Sequence, residues 1–303
     1  MEEFKVENGK AIIPEGREEI PYGVFENCKD LTSVEIPLSV KKIAGFQGCK
    51  NLKSIEIPAS VTGIECNAFD DCSGLETITV SAGNEVFKSP EGSNAIIEEK
   101  SQTLVLGCKN TNIPSGVTVI EDSAFHGCSE LRKIELPSSV TEIRDNAFYN
   151  CTGLYEVVLP PSLKEIGTQA FYKCNLQKII IPSSVTTIDR DAFYGCNELK
   201  CVEFLGRVDC LDFDALGCHP NIILVPANMK DIYKAMLQEE LHDRIVENGK
   251  ISEEEIRLRV ISAVLSGRFV NNEYGSLDDS ECKRLATNAI KIADEIIHQL
   301  KLK

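Results

Sequence analysis

Thirteen cysteines and four histidines are the side chains of this sequence best suited to chemistry, and their spacing decides which chemistry is open to them. Cys196, Cys201, Cys210, Cys218 and His219 fall in one short stretch and are donor types that zinc accepts. No Cys-x-x-Cys pair occurs among them, and such pairs are what place two thiolates on one tetrahedral ion. His126, His219, His242 and His298 are scattered. Gly-x-Ser-x-Gly, His-Glu-x-x-His, phosphate-loop and dinucleotide patterns are all missing. The expectation is therefore no catalytic residue, no metal, no cofactor and no enzyme.

Most of the cysteines instead mark a repeat. Phe-x-x-Cys recurs at Phe25/Cys28, Phe46/Cys49, Phe69/Cys72, Phe125/Cys128, Phe148/Cys151, Phe171/Cys174 and Phe193/Cys196, and Cys218 extends the series. The steps are 21 to 23 residues, apart from one of 56 between Cys72 and Cys128. A fixed period in the twenties is the mark of a solenoid whose turns pack on their neighbours. Equivalent thiols then stack inside one shared dry core as small buried hydrophobes. Cys66, Cys201, Cys210 and Cys282 lie off this ladder and are expected to be the reactive thiols. So many free thiols suit a reducing compartment.

One turn can be read from Leu52. Ile55 and Ile57 alternate with polar residues, as in a strand with one buried face, and Pro58 ends it. Val61 and Ile64 point inward from a second short extended stretch, and Ala68-Phe69-x-x-Cys72 closes the turn as a tight bend. The same frame recurs from Leu31, Leu131, Leu154 and Leu176, and Ile13-Pro14 with Ile20 forms a worn first turn. The long step carries two further segments, 94–98 and 103–106, joined by Glu99-Lys-Ser-Gln102 as a β-hairpin inserted over about 94–106. Tyr149, Tyr172 and Tyr194, each just after a ladder Phe, should stack along another edge as structure, with anchoring of a partner or sugar as the alternative.

These residues resemble the BspA-like leucine-rich repeat family, whose unit runs L-x-x-I-x-I-P-x-S-V-x-x-I-x-x-x-A-F-x-x-C, over about residues 10 to 226. The resemblance implies an α/β fold: a curved right-handed leucine-rich-repeat solenoid, a horseshoe with parallel strands on its concave face. It also implies protein binding or adhesion, often at a bacterial surface.

The expected domains are 1–226 for the solenoid, 227–248 for a capping helix and 249–303 for a helical hairpin. Met229, Ile232, Tyr233, Met236, Leu237, Leu241 and Ile245 keep helical spacing, enough for a helix over the last strand edge. Ser252-Glu-Glu-Glu255 opens the next helix as a capping box. A third spaces Leu285, Ala289, Ile292, Ile296 and Leu300 as one stripe. Residues 251–301 resemble a small helical appendage of phage-related bacterial proteins of unknown role. Their stripe packs on the solenoid, on its own hairpin or on a second copy, so a homo-oligomer is the alternative.

The net charge is −15, of which −13 falls before Pro226. Such a surface repels phosphate backbones, so a nucleic-acid partner is not expected. No apolar run approaches the roughly 18 residues that a membrane helix needs. With no signal-type start and with free thiols, a cytoplasmic location is expected, with the cell surface or secretion as the alternative.

The strand face is the place to look for a partner. Its outward positions are mostly polar, for example Ser54/Glu56, Lys133/Glu135 and Cys201/Glu203. Val158 and Ile180 break the rule on consecutive turns, with Tyr155 close by. The expected partner-binding residues are Tyr155, Glu156, Val158, Lys178, Ile180, Glu135, Lys133 and Glu203. The plainer readings are β-propensity filling, or cover from the other half of the horseshoe.

Overall fold

In most turns a proline ends the strand and also starts a bend: its carbonyl accepts the amide three residues on, as in Val61 to Pro58 and Val140 to Pro137. A serine inside that bend reaches the previous turn. Ser60, Ser139, Ser162 and Ser184 donate Oγ–H to the carbonyls of Val40, Val117, Val140 and Leu163. A second bend follows at Phe-x-x-Cys. The residue before the cysteine takes a left-handed backbone in every turn, with φ between +55° and +74° at Asn27, Gly48, Asp71, Gly127, Asn150, Lys173 and Gly195. Glycine and asparagine suit that position, and the turns mostly use them or aspartate.

These local rules build a parallel-strand solenoid of the leucine-rich-repeat type, seen in a computed structural model that describes residues 3–248 together with Lys291. The helical hairpin expected over 249–303, and Cys282 with it, lie outside the described residues. First strands such as Ser54–Ile57 and Thr77–Val80, or Lys178–Ile181, Cys201–Phe204 and Ile222–Val225, pair in parallel from turn to turn. The second stretches, only two residues long in most turns, form another ladder through Val119–Ile120, Glu142–Ile143, Glu165–Ile166, Thr187–Ile188 and Cys210–Leu211.

Two stacks run through the turns. Phe25, Phe46 and Phe69 are parallel at 5.4 Å centroid spacing, and Phe125, Phe148, Phe171 and Phe193 repeat the stack at 4.9 to 5.4 Å. The ladder thiols do more than fill space. Five of them donate S–H to the carbonyl of the phenylalanine one turn back: Cys49 to Phe25, Cys72 to Phe46, Cys151 to Phe125, Cys174 to Phe148 and Cys196 to Phe171. All described cysteines are free, and burial drives the thiols of Cys128, Cys151 and Cys196 well above their ordinary range.

The interior is not single. The strands Ala95–Glu98 and Thr103–Gly107 form the expected antiparallel hairpin, and it stands between two cores as a wall. Ile96 and Leu106 belong to the core of the first turns, whereas Ala95, Ile97 and Leu104 belong to the core that runs on to Ile245. The hairpin enters the second ladder, with Thr103 paired to Val119, and Gly107 takes the ladder phenylalanine's place. Its amide donates to Ala124 as Phe125 does to Ala147. A Cβ on Gly107 would lie 2.1 Å from the Phe125 ring, so no phenylalanine stack crosses the wall.

Two ends differ from expectation. Lys5–Glu7 and Lys10–Ile12 form an antiparallel hairpin that covers the N-terminal edge, turning at Asn8 and Gly9 with φ of 51° and 79°. At the other end the single capping helix over 227–248 is corrected to three pieces: a helix Lys230–Met236, a 3-10 turn Glu239–Arg244 and a strand Ile245–Glu247. The helix stops because Leu237 is extended, and the strand pairs in parallel with Ile223–Val225. An open strand edge gains more from a further strand than from a helix laid beside it. Tyr233 anchors the helix by donating Oη–H to the Gly206 carbonyl at 2.7 Å.

Gly107→Ala is expected to destabilise the fold by about 1–3 kcal/mol through overpacking against a buried ring. Thermal unfolding measures this, and an unchanged midpoint would show that the wall is not tightly fitted.

Candidate functional site

Along the first-strand face, outward side chains alternate with core residues, so the surface can be read turn by turn. Lys133–Glu135 pairs in parallel with Glu156–Val158, which sets Lys133 opposite Glu156 as an ion pair and Glu135 opposite Val158. The Lys133 ammonium also sits 5.4 Å from the centre of the Tyr155 ring. Beyond this polar border lies a groove of about 580 Å³. Tyr155, Val158, Ile180 and Leu205 line it together with Pro161 and Pro182, and Glu156, Gln177 and Lys178 supply polar groups at its wall. Val158 and Leu205 remain 49% and 47% exposed, and Tyr155 37%.

Five of the eight expected partner-binding residues thus share one groove: Tyr155, Glu156, Val158, Lys178 and Ile180. Lys133 and Glu135 stand exposed on the adjacent strand, outside it. Glu203 is corrected: it is only 4% exposed, bonds with the Lys178 ammonium at 3.3 Å and accepts from Asn248 Nδ2. Cys201, expected to be a reactive thiol, is also corrected, because it is 1% exposed. Both residues sit in a strand buried on both faces, which the local alternation of the sequence does not reveal. Cys66 and Cys210 are exposed, as expected.

Leu205, Pro161 and Pro182 escaped the sequence reading. Leu205 had a signal, since it stands where Pro58, Pro137, Pro160 and Pro182 end the equivalent strands. The tyrosine ladder forms as Tyr149–Tyr172–Tyr194 at 4.7 and 5.4 Å, and His126 extends it at 4.7 Å. At the far end a Cβ on Gly217 would lie 2.5 Å from Tyr194, so the last ring packs on backbone. The stack offers its edges rather than ring faces.

A second cluster gathers acid, base and thiol near the wall. His126 lies 4.0 Å from an Asp70 oxygen and 3.9 Å from an Asp71 oxygen, and the Asp71 amide donates to the His126 carbonyl. Burial, with Asp71 adding to it, pushes the Asp70 carboxyl from 3.8 up to about 7. Burial holds His126 below its usual range, against the pull of Asp71. Burial raises the Cys66 thiol too, reinforced by Asp122 and Asp70. A nucleophilic thiol needs the opposite environment, one that lowers its pKa. Among the described residues no three His, Cys, Asp or Glu side chains converge as metal ligands, and no helix is long and apolar enough to cross a membrane.

The model for the BspA type leucine rich repeat region matches the chain in six copies, over residues 5–105 and 87–200. Among solved structures, a leucine rich cell surface protein from Faecalibacterium prausnitzii shares 30% identity over 74% of this chain and 61% of its own, with a TM-score of 0.64. The pneumococcal vaccine antigen PcpA shares 22% identity over 73% of this chain and 64% of its own, with a TM-score of 0.60. A leucine-rich repeat protein from Eubacterium ventriosum shares the fold at 20% identity and a TM-score of 0.51, over 67% of this chain and 68% of its own. The chain spans less than two thirds of the first two of these relatives. No curated protein matches it.

The Asp70 carboxyl makes stability depend on pH in a defined direction. Its folded pKa lies above the unfolded one, so the fold holds more protons between pH 4 and 7 and loses stability as pH rises through that window. Asp70→Asn is expected to raise the melting temperature at pH 8 and to leave it nearly unchanged at pH 4. An equal gain at both pH values would assign the effect to something other than this charge.

Proposed function

Because the chain belongs to the BspA-type leucine-rich repeat family, we propose that it is a non-enzymatic scaffold of the protein-binding or adhesion kind, which captures a protein partner in the groove between Tyr155 and Leu205. The observation that carries this reading is the change in outward composition along one face. Preceding strands expose Ser54, Glu56, Lys133 and Glu135, whereas Val158 and Leu205 stay apolar and about half exposed. Apolar side chains held in a concavity with an aromatic at the border are what a protein interface concentrates at its centre. The polar border of Lys133, Glu156 and Lys178 gives the rim that such centres need.

An acidic surface of net charge −15 disfavours nucleic acid and favours a partner with basic character around its apolar contact. The cell-surface alternative is preferred over a cytoplasmic location, because the relative at 30% identity is described as a cell surface protein. Self-association through the hairpin expected over 249–303 rests on the spacing of the stripe alone, so the groove reading leads.

Val158→Glu with Leu205→Glu is expected to abolish partner capture in a pull-down while leaving the melting temperature nearly unchanged, since both side chains are already half in water. Ile180 is less suitable for the test because it is partly buried. Capture of the same proteins by the wild-type and altered chains would remove the groove from consideration.

A further inference from the structure

The charges around the Tyr155–Leu205 groove pair off among themselves, with one exception. Lys133 is paired with Glu156, and Lys178 with Glu203. Glu135 stands exposed on the Lys133–Glu135 strand, directly opposite Val158 in the ladder. Among the described residues its carboxylate makes no ion pair and no hydrogen bond. Arg132 turns away from it: the guanidinium lies over Gly153, where an added Cβ would sit 3.2 Å from Nη1, in the loop that precedes the Glu156–Val158 strand.

A rim carboxylate without a partner, one strand from a half-exposed apolar side chain, has a definite complement. It is a cation held beside an apolar anchor. The charge of −13 before Pro226 adds to that attraction. A second copy of this chain brings the same acidic surface, and a fatty acid brings a further carboxylate, so both are repelled where a basic segment is drawn in. The groove's volume of about 580 Å³ falls within the roughly 300–1,000 Å³ that accepts a compact ligand, which leaves room for an aromatic side chain.

Spacing narrows the complement further. The strand that carries Val158 lies next to the one that carries Glu135, and the strand of Ile180 comes next. At about 4.8 Å per strand, the floor of the groove is then about 10 Å from the strand of the free carboxylate. In an extended peptide, side chains two residues apart share one side at roughly 7 Å, and a long basic side chain spans the remainder. We propose that the segment captured is an extended basic peptide. Its bulky apolar side chain enters between Val158 and Leu205 over Ile180, and a lysine or arginine two residues away pairs with Glu135. This rests on the groove being the capture site, and it names the chemistry of what is captured.

The chain has no tryptophan, so the emission of a tryptophan carried by a peptide reports that peptide alone. The probes are short capped peptides with one central tryptophan and, two residues to either side, arginine, serine or glutamate. With the full chain at low salt, the arginine peptide is expected to give a saturable blue shift. It is expected to bind about fivefold or more tighter than the serine peptide, with the glutamate peptide weaker still. High salt is expected to shrink these differences. Glu135→Gln is expected to remove most of the arginine preference and Glu135→Lys to invert the order, both with an unchanged melting temperature because the side chain is exposed. Equal binding of the three peptides overturns the inference; its loss in the Val158→Glu, Leu205→Glu chain then shows that the groove still takes up apolar groups. An arginine preference that survives Glu135→Gln belongs to the overall negative charge and overturns the inference as well. So does the absence of any shift, and so does self-association that the groove substitutions abolish, which makes a second copy the occupant. In those two cases the pull-down judges the groove reading separately.

Discussion

Most turns of this solenoid leave one phenylalanine carbonyl with a spare lone pair, and the next turn's thiol uses it at Phe25, Phe46, Phe125, Phe148 and Phe171. The Phe25 carbonyl accepts the Cys28 amide of its own bend and the Cys49 thiol of the following one, and Phe125 does the same with Cys128 and Cys151. The phenylalanine amide points the other way and donates to the alanine carbonyl of the next turn, as Phe148 does to Ala170. A bend so wired cannot slip by a residue without losing a stacked ring, a thiol bond and an amide bond together. That explains why the Phe-x-x-Cys steps vary so little, and why cysteine rather than a larger apolar residue holds the place. An S–H donor satisfies the carbonyl with little of the desolvation cost that a hydroxyl carries.

The same wiring shows what the hairpin wall has to supply. Where the phenylalanine ladder breaks, Gly107 takes over the amide bond to Ala124, and the Gly107 carbonyl lies 3.9 Å from Cys128 Sγ. The Phe69 bend stays linked across the gap by the Asp71 amide on the His126 carbonyl. Backbone continuity is thus kept while the aromatic stack is not. The two cores meet across side chains that alternate on one hairpin, which is why that hairpin is apolar on both sides rather than on one.

Much of this was legible because repetition averages out local ambiguity. Seven copies of one bend fix the period, the buried phenylalanine and the tyrosine stack, and the 94–106 hairpin follows from the excess length between Cys72 and Cys128. The N-terminal hairpin escaped the sequence reading, although Asn8-Gly9 between two short extended stretches is the standard signal for a two-residue turn. The helix expected from Met229 to Ile245 had genuine helical spacing. It lost to a strand because an unpaired edge outweighs propensity once the sheet exists. Nothing local to Cys201 or Glu203 announces their burial, since their sequence alternates as the exposed turns do.

In a repeat protein the repeat itself describes the scaffold, so functional information resides in its departures. Leu205 replaces a strand-ending proline, Val158 and Ile180 replace polar outward residues, and all three line the same groove. Departures scattered along the chain would be ordinary drift, whereas three on neighbouring turns that converge in space call for a common cause. Burial separates them into two kinds. Where the outward row is buried, from Glu203 to Val246, apolar residues such as Leu224 and Val246 gain from being out of water. Where it is open, at Val158 and Leu205, no such benefit exists, and an exposed leucine in place of proline gives up a rigid strand end for no gain in stability. The partner contact proposed for the groove would account for that trade.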